Sequence, residues 1–515
     1  MQTAPNEDID EVRRQRDEYK ELYAKMREHC RKLELGFFGQ KRERFVANEA
    51  QLTMSVLGSF FVPPNKPEPE TTTVPEHSRQ KPTGRKALPE NLPRIEVEVL
   101  PDEVKQAGTE AFERIGEDVS ESIERRPASV VVVRVIRPKF VAKDRAQSEQ
   151  AVLQGAPLPL PIERGLAGPG FLADSVVRRW QDHLPLHRLE RIYQRESLDL
   201  ARSTICTWHQ SLAGLVAPLL TAMWRDALDS PYLCTDATGV LVQALEKCKS
   251  AHFFVVAAPQ KHVLFAYTPK HNAQAVDQML GEYRGYLVAD AHAVYDHLYR
   301  DGRVIEVGCW AHARRYFFKA LQSDPQRAQH ALSLLGRVFA LERANQSVSA
   351  EARLKVRQTI SKPIIEQFFA WCVEQAPQVL DETPVQKAIG YAMNQEQALK
   401  RFLDDAQLPL HNNFSERALR REAIGRKNWL FVGNDEGGKI NATFVSLLAS
   451  CELHGLEPSA YLRDLFCLLP SWPAKDVLAL APAYWQTTVS QPNTAAALEA
   501  NVFRRVALGQ LSPLA

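Results

Sequence analysis

The chain is 515 residues long, enough for several domains with a sizeable core. Hydrophobic residues make up 45% and charged residues 24%, an ordinary globular balance that excludes a low-complexity or collagen-like chain. The formal net charge is only +2, so polyanion binding has to be argued from local clusters and not from the total.

The eight cysteines form no C-x-x-C pair, which excludes a zinc ribbon and a thioredoxin-type motif. No secretory leader is read, and no apolar run is long enough to span a membrane. A reducing cytoplasm is the expected setting.

From the start, Ile9, Val12, Arg16, Tyr19, Tyr23, Met26, Cys30 and Leu33 recur at alternating steps of three and four. That spacing is a heptad seam with one charged core position. It reads either as a dimerising coiled coil or as one amphipathic helix packed on its own chain. Residues 1–61 are assigned to this segment and its aromatic-basic hinge. Residues 62–94 are rich in proline, threonine and charge and read as an extended linker. Its end, Arg79 to Lys86, is either a DNA-backbone contact or a solvated run.

Residues 95–160 change character. Ile95 to Val99 alternates, and Val130 to Val135 is strongly strand-forming, so a small β-rich module is expected. Residues 161–230 are read as helical. Leu186 to Glu196 is one amphipathic helix, Ser197 to Arg202 a turn, and Ser203-Thr204 the cap of a second helix carrying Trp208-His209-Gln210. The arrangement is compatible with helix-turn-helix DNA reading and equally with an ordinary helical hairpin.

From residue 231 strands and helices alternate. Strands are expected at Tyr232 to Val242, Phe253 to Ala258 and Val263 to Tyr267, then a helix at Ala273 to Leu280. A fourth strand, Gly285 to Asp290, ends in an acid. A helix at His292 to Tyr299 and a fifth strand at Val304 to Cys309 follow. Three strands, helix, strand, helix, strand is the layout of an RNase H-like mixed sheet, with residues 231–324 as its first part. It makes the strands of Asp236 and Asp290 neighbours. Residues 325–405 read as a large all-α insertion, including one long helix from Ser349 to Gln375.

Residues 406–470 complete the core. Asn412-Asn-Phe-Ser-Glu416-Arg417 is a polar turn in which Asn412, Asn413 and Ser415 are good helix N-caps, so Glu416 is expected in the first turn of a helix. Arg417, Arg420, Arg421, Arg426 and Lys427 follow, then Trp429 and Phe431 and a Gly-rich stretch, Gly433 to Gly438, read as flexible. One acid inside a basic, stacking-capable patch suits a site for a polyanion and a metal together. Helices are expected at Lys439 to His454 and Pro458 to Leu469. Residues 471–515 read as an Ala- and Pro-rich tail.

Three carboxylates, two on strands and one on a helix, are a donor set for Mg²⁺. Arg314, Arg315, Arg420, Arg426 and Lys427 are candidates for phosphate contact, each with an ordinary surface charge as the alternative. Trp429 and Phe431 either stack on a frayed base or pack in the core. His312, three after Cys309, suits a DNA contact or a structural hydrogen bond better than a two-ligand metal pair.

These motifs resemble the large DDE-type subunit of insertion sequence 66 family transposases over nearly the full length. The resemblance rests on Cys234-Thr-Asp-Ala-Thr-Gly239, Leu287-Val-Ala-Asp-Ala-His-Ala-Val-Tyr295, Cys309-Trp-Ala-His-Ala-Arg-Arg315 and Asn412 through Arg421. Gly425 to Phe431 and Leu456 to Leu462 continue it. Gly116 to Ser120, Arg137 to Lys139 and Arg164 to Gly168 extend it upstream.

It implies Asp236, Asp290 and Glu416 as a catalytic triad using Mg²⁺ or Mn²⁺ to cut element ends and join them to target DNA. It also implies self-association through the N-terminal segment, small accessory proteins, and a cytoplasmic, nucleoid-associated bacterial setting. One departure stands out. The family's two C-x-x-C pairs would fall near Lys105 to Thr109 and at Ala142 and Arg145, where there is no cysteine. The β module is therefore expected to lack zinc. The alternative function is a catalytically inactive or domesticated DNA-binding protein.

Overall fold

The computed structural model describes Arg14 and residues 88–511, apart from 91, 127–128, 143–151 and 246. The heptad seam and most of the Pro-rich linker lie outside the described residues. The described chain is mixed α/β and divides into two compact units. One takes in Ala313–Ser347 and Val356–Glu396. The other takes in Leu88–His312, Val348–Lys355 and the chain from Gln397 onward.

The larger unit holds two sheets. The first contains β1 (Arg94–Glu98), β2 (Phe112–Arg126), β3 (Ser129–Ala142) and β4 (Leu153–Gln154). β2 and β3 form a long antiparallel hairpin, and β1 joins β3 in parallel. The β-branched run Val130 to Val135 sits in its middle, with Val131, Val132 and Val133 buried, as such side chains favour a pleated, covered surface. Among the described residues this sheet holds no cluster of three metal-ligating side chains.

The second sheet contains β5 (Tyr232–Val242), β6 (Lys249–Ala258), β7 (His262–Thr268), β8 (Gly285–Val288) and β9 (Val304–Val307), in the order β7-β6-β5-β8-β9. β5, β6 and β7 are an antiparallel meander, while β8 and β9 add in parallel. The helix Asp435–Leu453 covers the β7 edge. Ser450 and Ser446 accept the outward N–H groups of Val263 and Phe265 at 3.0 and 2.7 Å, which closes an otherwise open strand edge.

The helices Pro169–Trp180, Leu186–Arg195 and Arg202–Leu228 share one apolar core with both sheets. Trp208 and His209 are core residues, and the His209 ring lies 4.7 Å from that of Trp180. The third of these helices begins at Arg202 behind Ala201, with no side-chain cap. Ser203 and Thr204 lie inside its first turn, because the apolar stripe that starts at Ile205 draws the preceding turn into the helix.

The sequence Gly165-Leu-Ala-Gly-Pro-Gly170 has a packing reason. The carboxylate of Glu124, wholly buried on β2, accepts from the N–H of Arg125 and of Phe171, both at 2.7 Å. It thereby caps the helix Pro169–Trp180 from outside. A Cβ on Gly168 or Gly170 would stand 2.2 or 2.5 Å from that carboxylate. Burial raises the pKa of Glu124 to about 8, while the backbone donors oppose it.

Other expectations are corrected. The stretch from Gly433 is not a loose loop: Asn434 caps a helix that already starts at Asp435, and Gly438 packs against the Tyr267 ring. The fourth strand stops at Val288, two residues short of Asp290. His292 to Tyr299 is a 3₁₀ turn, Ala293–Tyr295, followed by a short helix, Asp296–Tyr299.

Among the described residues after Pro470 most are helical. Phe503 and Val506 seal Ile95, Val131, Val133 and Val135 of the first sheet. Alternating apolar residues on that sheet face require a cover, which the tail supplies.

The smaller unit is helical, with helices Pro325–Ala344, Lys362–Gln375 and Pro384–Asn394. The long helix expected from Ser349 contains a π turn, Arg357–Ser361, just before Pro363. A proline ring removes one hydrogen bond and crowds the preceding turn, which a π turn accommodates. Arg357 is buried there and paired with Glu342 at 2.7 Å.

Candidate active site

Asp236 lies in β5 and Asp290 just beyond β8. Both are half-buried. The two strands pair in parallel, with Cys234 level with Val288. That pairing ends there, and Asp236 and Asp290 each follow it by two residues on their own segments. The acids therefore mark the place where β8 leaves β5, at the carboxyl end of a parallel strand, where open α/β sheets form crevices.

Polar and ring contacts surround this place. The Ala237 N–H donates to Asp236 Oδ1 at 2.7 Å. Burial holds the Tyr295 hydroxyl well above its ordinary pKa. A hydrogen bond with Thr235 opposes this, and the charges of Asp290 and Asp236 both reinforce it. Beside Asp290, the His271 ring lies 4.5 Å from His292, 5.0 Å from His252 and 5.1 Å from Phe254. Burial lowers the pKa of His271, with His292 and His252 adding to the effect and Asp290 opposing it.

Glu416 is in the first turn of the helix Asn413–Trp429. Asn412, expected as a helix cap, makes no side-chain cap. Its side-chain amide donates instead to the Thr235 carbonyl at 2.7 Å, and its N–H to Cys309 Sγ at 3.2 Å. The far end of the helix is tied too, since Arg426 donates to Thr238 Oγ1 at 3.0 Å and to the Gly239 carbonyl at 2.6 Å. Val432 then bonds to Leu241 and Gln243. The helix thus runs beside β5 from Thr235 to Val242, and its first turn starts next to the strand position preceding Asp236.

The sequence reading missed what faces Glu416. His312 Nε2 stands 3.7 Å from Glu416 Oε1. One ligand atom each from Cys309, His312 and Glu416 lie within 4.8 Å of one another. The Cys309-x-x-His312 spacing was visible, but its third member is supplied only by the fold.

The cationic candidates fall in different settings. Arg420 and Lys427 are exposed, and Arg426 is engaged with β5. Arg421 is held by Gln181 and Glu452. Trp429 is half-buried against Gly425, with the Arg179 guanidinium 5.9 Å from its ring centroid. Phe431 is exposed. Arg314 and Arg315 belong to the smaller unit, where the Arg314 guanidinium lies over the Phe339 ring at 6.0 Å.

The site so described is one acid on β5, a second just beyond the parallel strand β8, and a third on a helix anchored to β5. Comparison with known families is specific. Residues 164–440 match the pattern described as "Transposase IS66 family". Residues 25–97 match "Transposase C of IS166 homeodomain", and residues 446–483 match "IS66 C-terminal element".

The chain is also similar to curated proteins of Sinorhizobium fredii (strain NBRC 101917 / NGR234). It is 30% identical to uncharacterized protein y4jD, over 76% of this chain and 81% of that protein. It is 30% identical to y4qI, over 78% of each, and 26% identical to y4hP, over 81% and 79%. The chain belongs to the IS66 transposase family. Membership carries a transposase role, with DNA as the partner. Among the described residues no helix is long and apolar enough to cross a membrane.

Proposed function

We propose that this chain is a DDE-type transposase with an RNase H-like core, in which Asp236, Asp290 and Glu416 are the catalytic acids. The observation that supports the reading is the parallel β5–β8 pairing, which ends two residues before Asp236 and Asp290, with the Glu416 helix anchored to Thr235. On this reading residues 231–324 and 406–470 are the two parts of the core and 325–405 the insertion. The N-terminal segment serves self-association.

The donor set fits Mg²⁺ or Mn²⁺: three half-buried carboxylates are hard oxygen ligands that leave room for water and phosphate. When bound, a pair of such ions activates the attacking hydroxyl and shields the leaving oxygen of an in-line displacement. The protein's own part is placement. Asn412 and Arg426 hold the Glu416 helix against β5, and Tyr295 and the histidine stack wall the acids. Exposed Arg420 and Lys427, with Arg314 and Arg315, contact phosphates, and Trp429 lies beside the DNA path.

The test is cleavage of DNA carrying the element's ends, with Mn²⁺. Asp236→Asn, Asp290→Asn and Glu416→Gln each lower the rate on the order of a thousandfold, as expected when metal-borne charge stabilisation is lost. DNA affinity stays. Equal activity in all four proteins sinks the triad and leaves a non-catalytic DNA-binding protein.

A further inference from the structure

Cys309 directly precedes the helix Trp310–Ala320, and His312 lies in its first turn. At that i, i+3 spacing the two side chains share a face of the turn. Glu416 reaches the same point from a separate helix, so three donors of three chemistries converge within 4.8 Å. The Cys309 sulfur already has hydrogen-bond donors around it. It accepts the Asn412 N–H at 3.2 Å and is also within reach of the N–H groups of His312 and Ala311. Backbone donors of this kind are the usual second layer around a metal-bound thiolate.

We infer that Cys309, His312 and Glu416 form a binding site for a thiophilic divalent cation of the Zn²⁺ class, which competes with Mg²⁺ for Glu416. The donor chemistry decides the class: thiolate and imidazole select Zn²⁺ or Co²⁺, whereas Mg²⁺ takes oxygen. The dimensions agree. Tetrahedral Zn²⁺ with S, N and O donors at about 2.0–2.3 Å sets donor separations of about 3.3–3.8 Å. The His312–Glu416 gap of 3.7 Å is in that range, and the three donor atoms lie within 4.8 Å of one another, so a side-chain shift of about 1 Å closes the set. Three protein ligands leave the fourth position to water.

Binding breaks the Cys309 S–H bond, forms a metal–sulfur bond and releases one proton to solvent. Burial pushes that thiol up to about 11 and the backbone N–H groups draw it down, so the metal has to displace the proton. The site is distinct from the β module, where the family's cysteine pairs are missing. Its competitive effect rests on the assignment of Glu416 to catalysis. Its existence does not.

The experiment is titration of the metal-stripped full chain with Co²⁺. One equivalent is expected to raise a thiolate-to-cobalt absorption band in the near ultraviolet. Cys309→Ser abolishes the band, and His312→Ala weakens Co²⁺ binding at least tenfold, each with a thermal melt showing that the variant is folded. Asp236→Asn keeps the band. Absence of the band in the wild type, or its persistence in Cys309→Ser, overturns the site.

One equivalent of Zn²⁺ is then expected to slow Mg²⁺-supported cleavage at least tenfold. Zn²⁺ that binds without slowing cleavage overturns the competition. A wild-type protein that binds Co²⁺ through Cys309 but cuts no DNA sinks the catalytic reading alone.

Discussion

The side-chain amide of Asn412 bonds to the main-chain carbonyl of Thr235, 177 positions earlier, at 2.7 Å, with both residues buried. This contact couples the start of the Glu416 helix to the strand of Asp236. Asn412→Ala leaves a buried carbonyl without its donor, at about 1–3 kcal/mol. Denaturant unfolding is expected to read that loss. In the cleavage assay the same variant loses rate by tenfold or more while DNA affinity holds. Unchanged stability would show that Thr235 finds another donor.

Glu124 makes stability depend on pH with a definite sign. Its folded pKa is about 8 against 4.5 for a free carboxyl. The folded protein therefore holds a proton that the unfolded chain has lost between those values. The stability contribution is complete below about pH 4.5 and disappears as pH rises through about 8. Glu124→Gln keeps one acceptor oxygen and cannot ionise. Its melting temperature relative to wild type is expected to climb from pH 5 to pH 8.5. A constant difference across that range would mean Glu124 is charged throughout.

Gly168 is close to Glu124 for steric reasons. An added methyl at Gly168 meets Glu124 Oε2 at 2.2 Å. That side chain is itself fixed by its backbone bonds and has no room to move. Gly168→Ala is expected to cost about 1–3 kcal/mol, the usual range for overpacking. Gly214→Ala, where nothing lies within 4 Å of the added methyl, is the control. Equal stabilities for the two variants would remove the packing argument.

The C-terminal helix Val502–Ala507 is a structural part of the first sheet. Phe503 is 2% exposed and packs with Ile95, Val131, Val133 and Val135. Phe503→Ala is expected to lose about 3–5 kcal/mol by the transfer and cavity terms together. The check is a shift in the denaturant midpoint. A loss below 1 kcal/mol would mean the tail only rests on the sheet.

Much of the larger unit was legible in the chain. Alternation and β-branched runs marked β1, β3, β5, β6 and β7, and the order of strands and helices after Tyr232 matched the sheet that forms. These signals are local, carried by neighbours two to four residues apart. The family motifs around Asp236, Asp290 and Glu416 were legible for the same reason, as short strings of residues. What stayed hidden were choices between remote partners. A cap at Asn412 looked satisfied by its own helix, yet the buried Thr235 carbonyl has greater need of the amide. Cys309 and His312 lacked a third member until Glu416 arrived from another helix. The spacing of glycines at 168 and 170 had no visible reason until Glu124 filled the space above them. The sequence by itself determined most strands and helices of the larger unit, and which family the chain belongs to. Only the tertiary structure decided which polar groups meet, because a buried donor or acceptor takes whichever partner the packing brings within 3 Å.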